Sequence, residues 1–328
     1  MKVIDMHCDT ISQIREKRMK GEPCGLRKNS LQVDLEKMRE GDYLLQNFAL
    51  FVDLKQESDP LAAALQLADV YESSMEENQD IIWPVTCFED LEAARAENML
   101  AGMMTLEEGG ILCGDPAILR EFYRLGVRMM TLTWNYENDL GFPNLVSDSN
   151  DSLGPDTERG LKEAGFAMLA EMERLGIIVD VSHLSDKGFY DVLAHTEKPF
   201  VASHSNARAL CPHTRNLTDD MIRKIGERGG VIGLNYCPVF LDTNPVYTEN
   251  ESSTALIARH ARYITDLGGM EVLGLGSDFD GISGKLEMDH CGKLPYLYEA
   301  LLEEGFSERE IEGIFHGNVL RVYREILS

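Results

Sequence analysis

The chain has 328 residues, 44% of them hydrophobic and 27% charged, with 28 Gly, 11 Pro and 7 Cys. That is the composition of a globular protein and excludes a disordered, collagen-like or disulfide-framework chain. A formal charge of −25 repels phosphate backbones and anionic membranes, and no Lys/Arg-rich window beyond the stretch from Arg15 to Lys20 offsets it, so neither nucleic acid nor membrane is expected as a partner.

Short apolar runs read as strands at Val3–Met6, Leu45–Val52, Gly102–Leu106, Val127–Thr133, Ile177–Val181, Pro199–Ala202, Gly230–Asn235 and Val272–Gly276. Between them, Pro60–Asn78, Arg159–Leu175 and Thr254–Leu267 show helical spacing, and Thr218-Asp219-Asp220 opens a helix over Met221–Arg228. Gly turns such as Leu175-Gly176 and Gly229-Gly230 lead from helix into strand. Strands alternating with helices pair in parallel, because a crossover helix returns the chain to the same end of the sheet. Eight such units close into a (β/α)8 barrel, with a doubly wound open sheet as the rival. No repeat or linker divides residues 1–328, so one catalytic barrel domain is expected. Ile11–Leu35 and Asn138–Asp156 fall outside the alternation, and the second is rich in Asn, Asp, Ser, Gly and Pro, which is loop chemistry. The N-terminal Met1–His7 segment lacks a signal-peptide apolar run, no stretch is long and apolar enough to span a membrane, and no C-x-x-C pair occurs. A cytoplasmic chain with free thiols is the expectation.

Polar residues gather where these strands end. His7 and Asp9 follow the first strand, with period-two spacing that points both the same way. The third ends in Glu107-Glu108-Gly109-Gly110, adjacent carboxylates whose glycines suggest close backbone approach around one of them. The fifth and sixth run into His183 and His204, each after a segment too apolar for a surface strand, and the eighth leads to Asp278. On the rim of a barrel, His7, Asp9, Glu108, His183, His204 and Asp278 converge, and burying that many such groups without cations costs several kcal/mol per group. Mixed N/O donors suit Zn²⁺, with Mn²⁺, Co²⁺ and Fe²⁺ also compatible, and the number of donors suits two ions bridged by a carboxylate. Arg215, in a loop before a helix, suits bidentate capture of a carboxylate, or pairing with Asp219. There is no P-loop, G-x-S-x-G elbow, H-E-x-x-H or dinucleotide fingerprint.

Together VIDMHCD (Val3–Asp9), Glu108-Gly109-Gly110, LTWN (Leu132–Asn135), VDVSHLSD (Val179–Asp186), SHSNARAL (Ser203–Leu210), RNLTDD (Arg215–Asp220), GGVIGLNY (Gly229–Tyr236) and GSDFDG (Gly276–Gly281) make the chain resemble the membrane (renal) dipeptidase family of M19 metallopeptidases, in a bacterial, unanchored form. The resemblance implies a distorted (β/α)8 TIM barrel of the metal-dependent hydrolase type holding two Zn²⁺. It implies that His7, Asp9 and Glu108 bind one ion, that Glu108, His183 and His204 bind the other, that Asp278 shuttles the proton, and that Arg215 holds the terminal carboxylate of a dipeptide. The implied reaction is hydrolysis of L-Xaa-L-Xaa and L-Xaa-D-Xaa dipeptides by a metal-bridging hydroxide, and a homodimer is implied as well. Trp134 stands where the kidney member has a His, which makes Trp134 and its neighbour Asn135 candidates for substrate contact, with His213 a further stand-in. Another amidohydrolase reaction, such as deacylation of an N-acyl amino acid, and a non-catalytic metal- or peptide-binding barrel are the alternatives.

Overall fold

The computed structural model describes residues 1–146, 152–244 and 246–327, with the backbone alone for residues 145, 146 and 247. Its frame is eight strands: β1 (Val3–Cys8), β2 (Tyr43–Phe51), β3 (Leu100–Glu107), β4 (Met129–Thr131), β5 (Ile178–Asp180), β6 (Val201–Ala202), β7 (Val231–Leu234) and β8 (Leu273–Leu275). Each pairs in parallel with the next. The ring closes where Asp5 of β1 meets Leu275 of β8. This closure excludes the open sheet, and the fold is a (β/α)8 barrel. A further short strand, Ile82–Pro84, lies beside Leu100–Gly102, below the level at which β4 takes over that edge of β3.

The four helices expected from apolar spacing form, at Pro60–Glu77, Glu163–Leu175, Asp219–Glu227 and Thr254–Gly268, with ends set by local chemistry. Asp59 accepts the Ala62 amide ahead of Pro60–Glu77, whose proline sits in the first turn. Thr218 does the same for Met221 ahead of Asp219–Glu227. The helix Glu163–Leu175 stops at Gly176, whose φ of 74° lets the chain turn directly into β5. Two expectations are revised. The stretch Ile11–Leu35 opens with a ten-residue helix, Thr10–Met19, burying Thr10, Ile11 and Ile14. Asn138–Asp156 contains an antiparallel pairing of Leu145–Val146 with Ser152–Gly154, while its residues 147–151 lie outside the described residues.

Inside, the barrel is narrow. At Gly276 a Cβ would fall 1.7 Å from the Ser203 carbonyl oxygen, and at Gly233 it would fall 2.0 Å from the same atom. Only glycine admits that approach of β6, β7 and β8. The helix Asn318–Ile326 packs Val319, Val322, Tyr323 and Ile326 against Ile4, Met6, Met103, Met129, Ile178, Val201 and Val231. Tyr323 is fully buried there, and its hydroxyl accepts the Asn47 side-chain amide at 2.6 Å. The base is therefore plugged with side chains, which leaves the opposite, C-terminal ends of the strands for chemistry.

Candidate metal centre and active site

His7 lies near the end of β1 and is 1% exposed, while Asp9 sits one residue beyond the strand. Asp9 has left the extended conformation, with φ −99° and ψ 16°, and stands just ahead of the helix Thr10–Met19 without capping it through its side chain. The two side chains nevertheless share a side, with His7 Nε2 3.6 Å from Asp9 Oδ2.

The carboxylate that meets the imidazoles is Glu107, which corrects the assignment of Glu108. Glu107 Oε2 lies 3.3 Å from His7 Nε2, while its Oε1 lies 3.2 Å from His183 Nε2 and 3.6 Å from His204 Nε2. Glu108 has turned out of the strand at φ 91°. Its carboxylate accepts the amides of Gly110 (2.6 Å) and Trp134 (3.1 Å) and the side-chain amide of Asn138. It therefore ties the end of β3 to the loop after β4. The signal was present in the pattern LAGMMTLE: Thr105 and Glu107 are the polar residues of an apolar strand and recur at period two, whereas Glu108 falls on the alternate parity, past the strand's end.

The other expected rim residues are brought together. His183 and His204 place their Nε2 atoms 3.0 Å apart. Asp278, at φ 64°, has Oδ1 3.8 Å from His7 Nε2, and its Oδ2 accepts the Asn235 side-chain amide at 2.9 Å, a support that sequence reasoning did not identify. Asn135 accepts at 2.8 Å from His183 Nδ1, so it steadies an imidazole as well as lining the cavity. Trp134 packs against Phe51 in a tilted contact, with ring centroids 4.9 Å apart, and lines that cavity. Arg215 is 5% exposed and lies behind it: its Nη2 donates to the His204 carbonyl at 3.5 Å, its Nε has no hydrogen-bond partner, and with His183 it borders a small void. His213 accepts the Arg215 amide through Nδ1 at 3.1 Å and so shapes the Arg215 loop.

The cavity measures about 190 Å³ and has Glu107, His183 and Asp278 in its lining, with Phe51 and Trp134 apolar on one side and Cys237, Phe240 and Ile282 among its other members. Its electrostatics are those of crowded, buried charge. Burial lowers the pKa of His7, but Glu107 and Asp9 outweigh it and hold the ring well above its ordinary value. Burial, helped by Arg215 and His7, drives His183 and His204 well below theirs. Burial raises Glu107 and Asp278, and Asp9 adds repulsion to both.

These residues fit divalent metal. His7 Nε2 and Asp9 Oδ1 are buried without hydrogen-bond partners, and the donor atoms form two close groups, His7–Glu107–His204 and His7–Asp9–Asp278. Imidazole and carboxylate are the donors that Zn²⁺ and its neighbours take.

A closed parallel barrel whose mouth gathers such donors around a cavity defines a metal-dependent hydrolase. The chain matches the model of the membrane dipeptidase family, peptidase family M19, over residues 1–328, and it belongs to that family of metallopeptidases. A protein from the pqqA 5′ region of Klebsiella pneumoniae is 36% identical over 239 residues, covering 72% of this chain and 86% of that one. Dipeptidase aclJ of Aspergillus oryzae is 31% identical over 307 residues, covering 90% and 70%. Among solved structures, a dipeptidase AC described as an M19 metallopeptidase superposes with a TM-score of 0.91 at 28% identity, covering 100% of this chain and 99% of that one. A metallopeptidase from Rhodobacter sphaeroides, liganded with a phosphinate mimic of the dipeptide L-Ala-D-Ala, superposes at 0.90 with 27% identity and the same coverage. The chain is thus a peptide-bond hydrolase of the dipeptidase family. Among the described residues no helix is long and apolar enough to cross a membrane.

Proposed function

We propose that the chain hydrolyses dipeptides, including those with a D-residue in second place, using two divalent ions that are Zn²⁺ by donor type. One observation carries the reading: the two oxygens of Glu107 face different partners, Oε2 towards His7 and Oε1 towards His183 and His204. His7, Asp9 and Glu107 would hold one ion and Glu107, His183 and His204 the other. When bound, such a pair polarises a scissile carbonyl and supplies a nucleophile at neutral pH.

The chain's own groups do the rest. Asp278 borders the cavity beside His7, and its raised pKa suits a carboxyl that takes a proton at Oδ1 and returns it to the leaving amine. Arg215 lies behind the cavity with its buried Nε unpartnered, and we assign that guanidinium to the substrate's terminal carboxylate, a pairing that selects dipeptides over longer peptides. Phe51 and Trp134 give the substrate side chain an apolar wall of two rings tilted by 56° and keep water from it. The phosphinate mimic bound by the Rhodobacter sphaeroides enzyme supports acceptance of a D-residue here. We place the reaction in the cytoplasm within one catalytic domain, a setting supported by seven cysteines that are all unpaired; a homodimer remains part of the proposal by resemblance.

The test is a release assay on metal-reconstituted protein, with L,L- and L,D-dipeptides, dipeptide amides and N-acetyl amino acids, alongside elemental analysis. Turnover of both free dipeptide classes with two equivalents of metal is expected. Turnover confined to N-acetyl amino acids, or one equivalent of metal at full activity, overturns the reading.

A further inference from the structure

Below the metal-facing layer, two aspartates grip serines near the mouth in the same pattern. Asp5 Oδ1 accepts the amides of His7 (3.2 Å) and Ser277 (2.9 Å), and its Oδ2 accepts the Ser277 hydroxyl (2.6 Å). Asp180 Oδ1 accepts the amides of Ser182 (3.0 Å) and Ser203 (2.8 Å), and its Oδ2 accepts the hydroxyls of Ser203 (2.5 Å) and Thr131 (2.7 Å). Both aspartates are buried. The second staple alone continues into an imidazole that faces the metal position, because Ser203 Oγ lies 2.7 Å from His204 Nδ1.

Counting hydrogens gives this chain a direction. An ionised carboxylate only accepts, so the single hydrogen of the Ser203 hydroxyl goes to Asp180. Ser203 then presents a lone pair to His204, and the ring's hydrogen must sit on Nδ1. The Ser182 hydroxyl, 3.3 Å from Ser203 Oγ, is placed to donate to the remaining lone pair while accepting the His204 amide at 3.2 Å. With its hydrogen on Nδ1, the neutral ring keeps a free lone pair on Nε2, the atom 3.0 Å from His183 Nε2 and 3.6 Å from Glu107 Oε1. His183 Nδ1 donates instead to the amide oxygen of Asn135 at 2.8 Å.

We propose that Asp180 and Ser203 are positioning residues that lock His204 in the tautomer able to bind metal and pass carboxylate character onto that ring. The inference rests on the two-ion reading above. Groups that hydrogen-bond the far nitrogen of a metal-binding imidazole change metal affinity by about 10–100-fold.

Two substitutions separate this role from simple packing. Asp180→Asn preserves shape but puts an NH₂ beside Ser203, which then accepts from the amide and donates to His204 Nδ1. That reversal forces the hydrogen onto Nε2, where it blocks the donor atom. Ser203→Ala cuts the link and leaves the ring to choose, a smaller effect that Ser203→Thr restores. Chelator competition against the full-length protein loaded with Co²⁺ alone reads affinity, and ¹⁵N imidazole spectra of the metal-free protein read the tautomer directly. Asp180→Asn is expected to weaken one of the two Co²⁺ sites by about 10–100-fold and to move the His204 hydrogen to Nε2. If Asp180→Asn fails to fold, the Ser203→Ala and Ser203→Thr pair decides by loss and recovery of that same site. Superimposable competition curves for all variants that fold, or a wild-type ring protonated on Nε2, overturn the proposal. Fewer than two equivalents of Co²⁺ in the wild type would instead refute the two-ion reading and leave the tautomer to the spectra.

Discussion

Replacing Glu107 and Glu108 one at a time by Gln tests two adjacent carboxylates that the structure sends to different tasks. Glu108 is fully buried and accepts from Gly110, Trp134 and Asn138, with Trp134 alone on Oε2. In Glu108→Gln the remaining oxygen can still serve Gly110 and Asn138, but the new NH₂ faces the Trp134 N–H. One charge-assisted hydrogen bond is lost and a buried donor is left unpaired, at a cost of about 2–4 kcal/mol. For a chain of this size that lowers the melting temperature by about 5 °C. Metal content should stay at the wild-type value. Glu107→Gln should do the reverse, halving metal content or worse, because the anionic oxygens that face His7 and the His183–His204 pair are gone. Calorimetry with elemental analysis of the same samples reads both. A Glu108→Gln protein that loses metal while Glu107→Gln keeps it would show that the carboxylates had been assigned the wrong way round.

Asp278→Asn should retain both metals and lose about 10²–10⁴ in kcat, the range for a missing acid–base group; turnover within tenfold of wild type removes the proton-shuttle role. Arg215→Met should cost about 10–100-fold in kcat/KM on free dipeptides, as expected for lost charged hydrogen bonds, while leaving dipeptide amides nearly unchanged; equal losses on both substrates contradict carboxylate recognition. His260, buried with Nδ1 accepting the Ala207 amide at 3.1 Å, has its pKa lowered by burial from 6.5 to about 4. Between those values the unfolded chain binds the extra proton, so stability falls as pH drops from about 6.5 towards 4 and is unaffected above, by at most about 3 kcal/mol from this group. His260→Asn, which keeps an acceptor near the Nδ1 position, should flatten that acid limb in urea titrations at pH 7 and pH 5, and an unchanged difference between the two pH values refutes the assignment.

The barrel was legible because its strands are short, mainly apolar runs with polar residues at their ends, and glycine turns such as Gly176 mark where helices give way to strands. His7, His183, His204 and Asp278 were legible for the same reason: a polar group directly after such a run has nowhere to go but the mouth. The glutamate was misplaced because the Glu-Gly-Gly spelling was weighed above side-chain parity. Parity favours Glu107, and the positive φ at Glu108 belongs to the turn that follows. Thr10–Met19 was hidden by its composition, half of it Arg, Lys, Glu and Gln, which favours a helix but leaves no clear apolar stripe. Ile82–Pro84 was too short and too proline-bound to register as a strand. The polar stretch after β4 reads as loop, yet Asn144 is buried, its side chain bound to Asp186 and to the Thr214 carbonyl, because asparagine side chains there substitute for the missing backbone partners. Asp5 and Asp180 carried no signal, since what they do depends on serines of other strands.

The closure of β8 on β1 joins the two extremes of the sequence: the Ser277 amide reaches Asp5 across 272 residues, and Asp278 faces His7 just above it. The donors at this junction therefore exist as a set only while the ring is shut. Parting that seam scatters them, so unzipping the barrel there and surrendering its ions become one event. Any ion held across the junction serves as a clasp whose grip is felt by the whole fold.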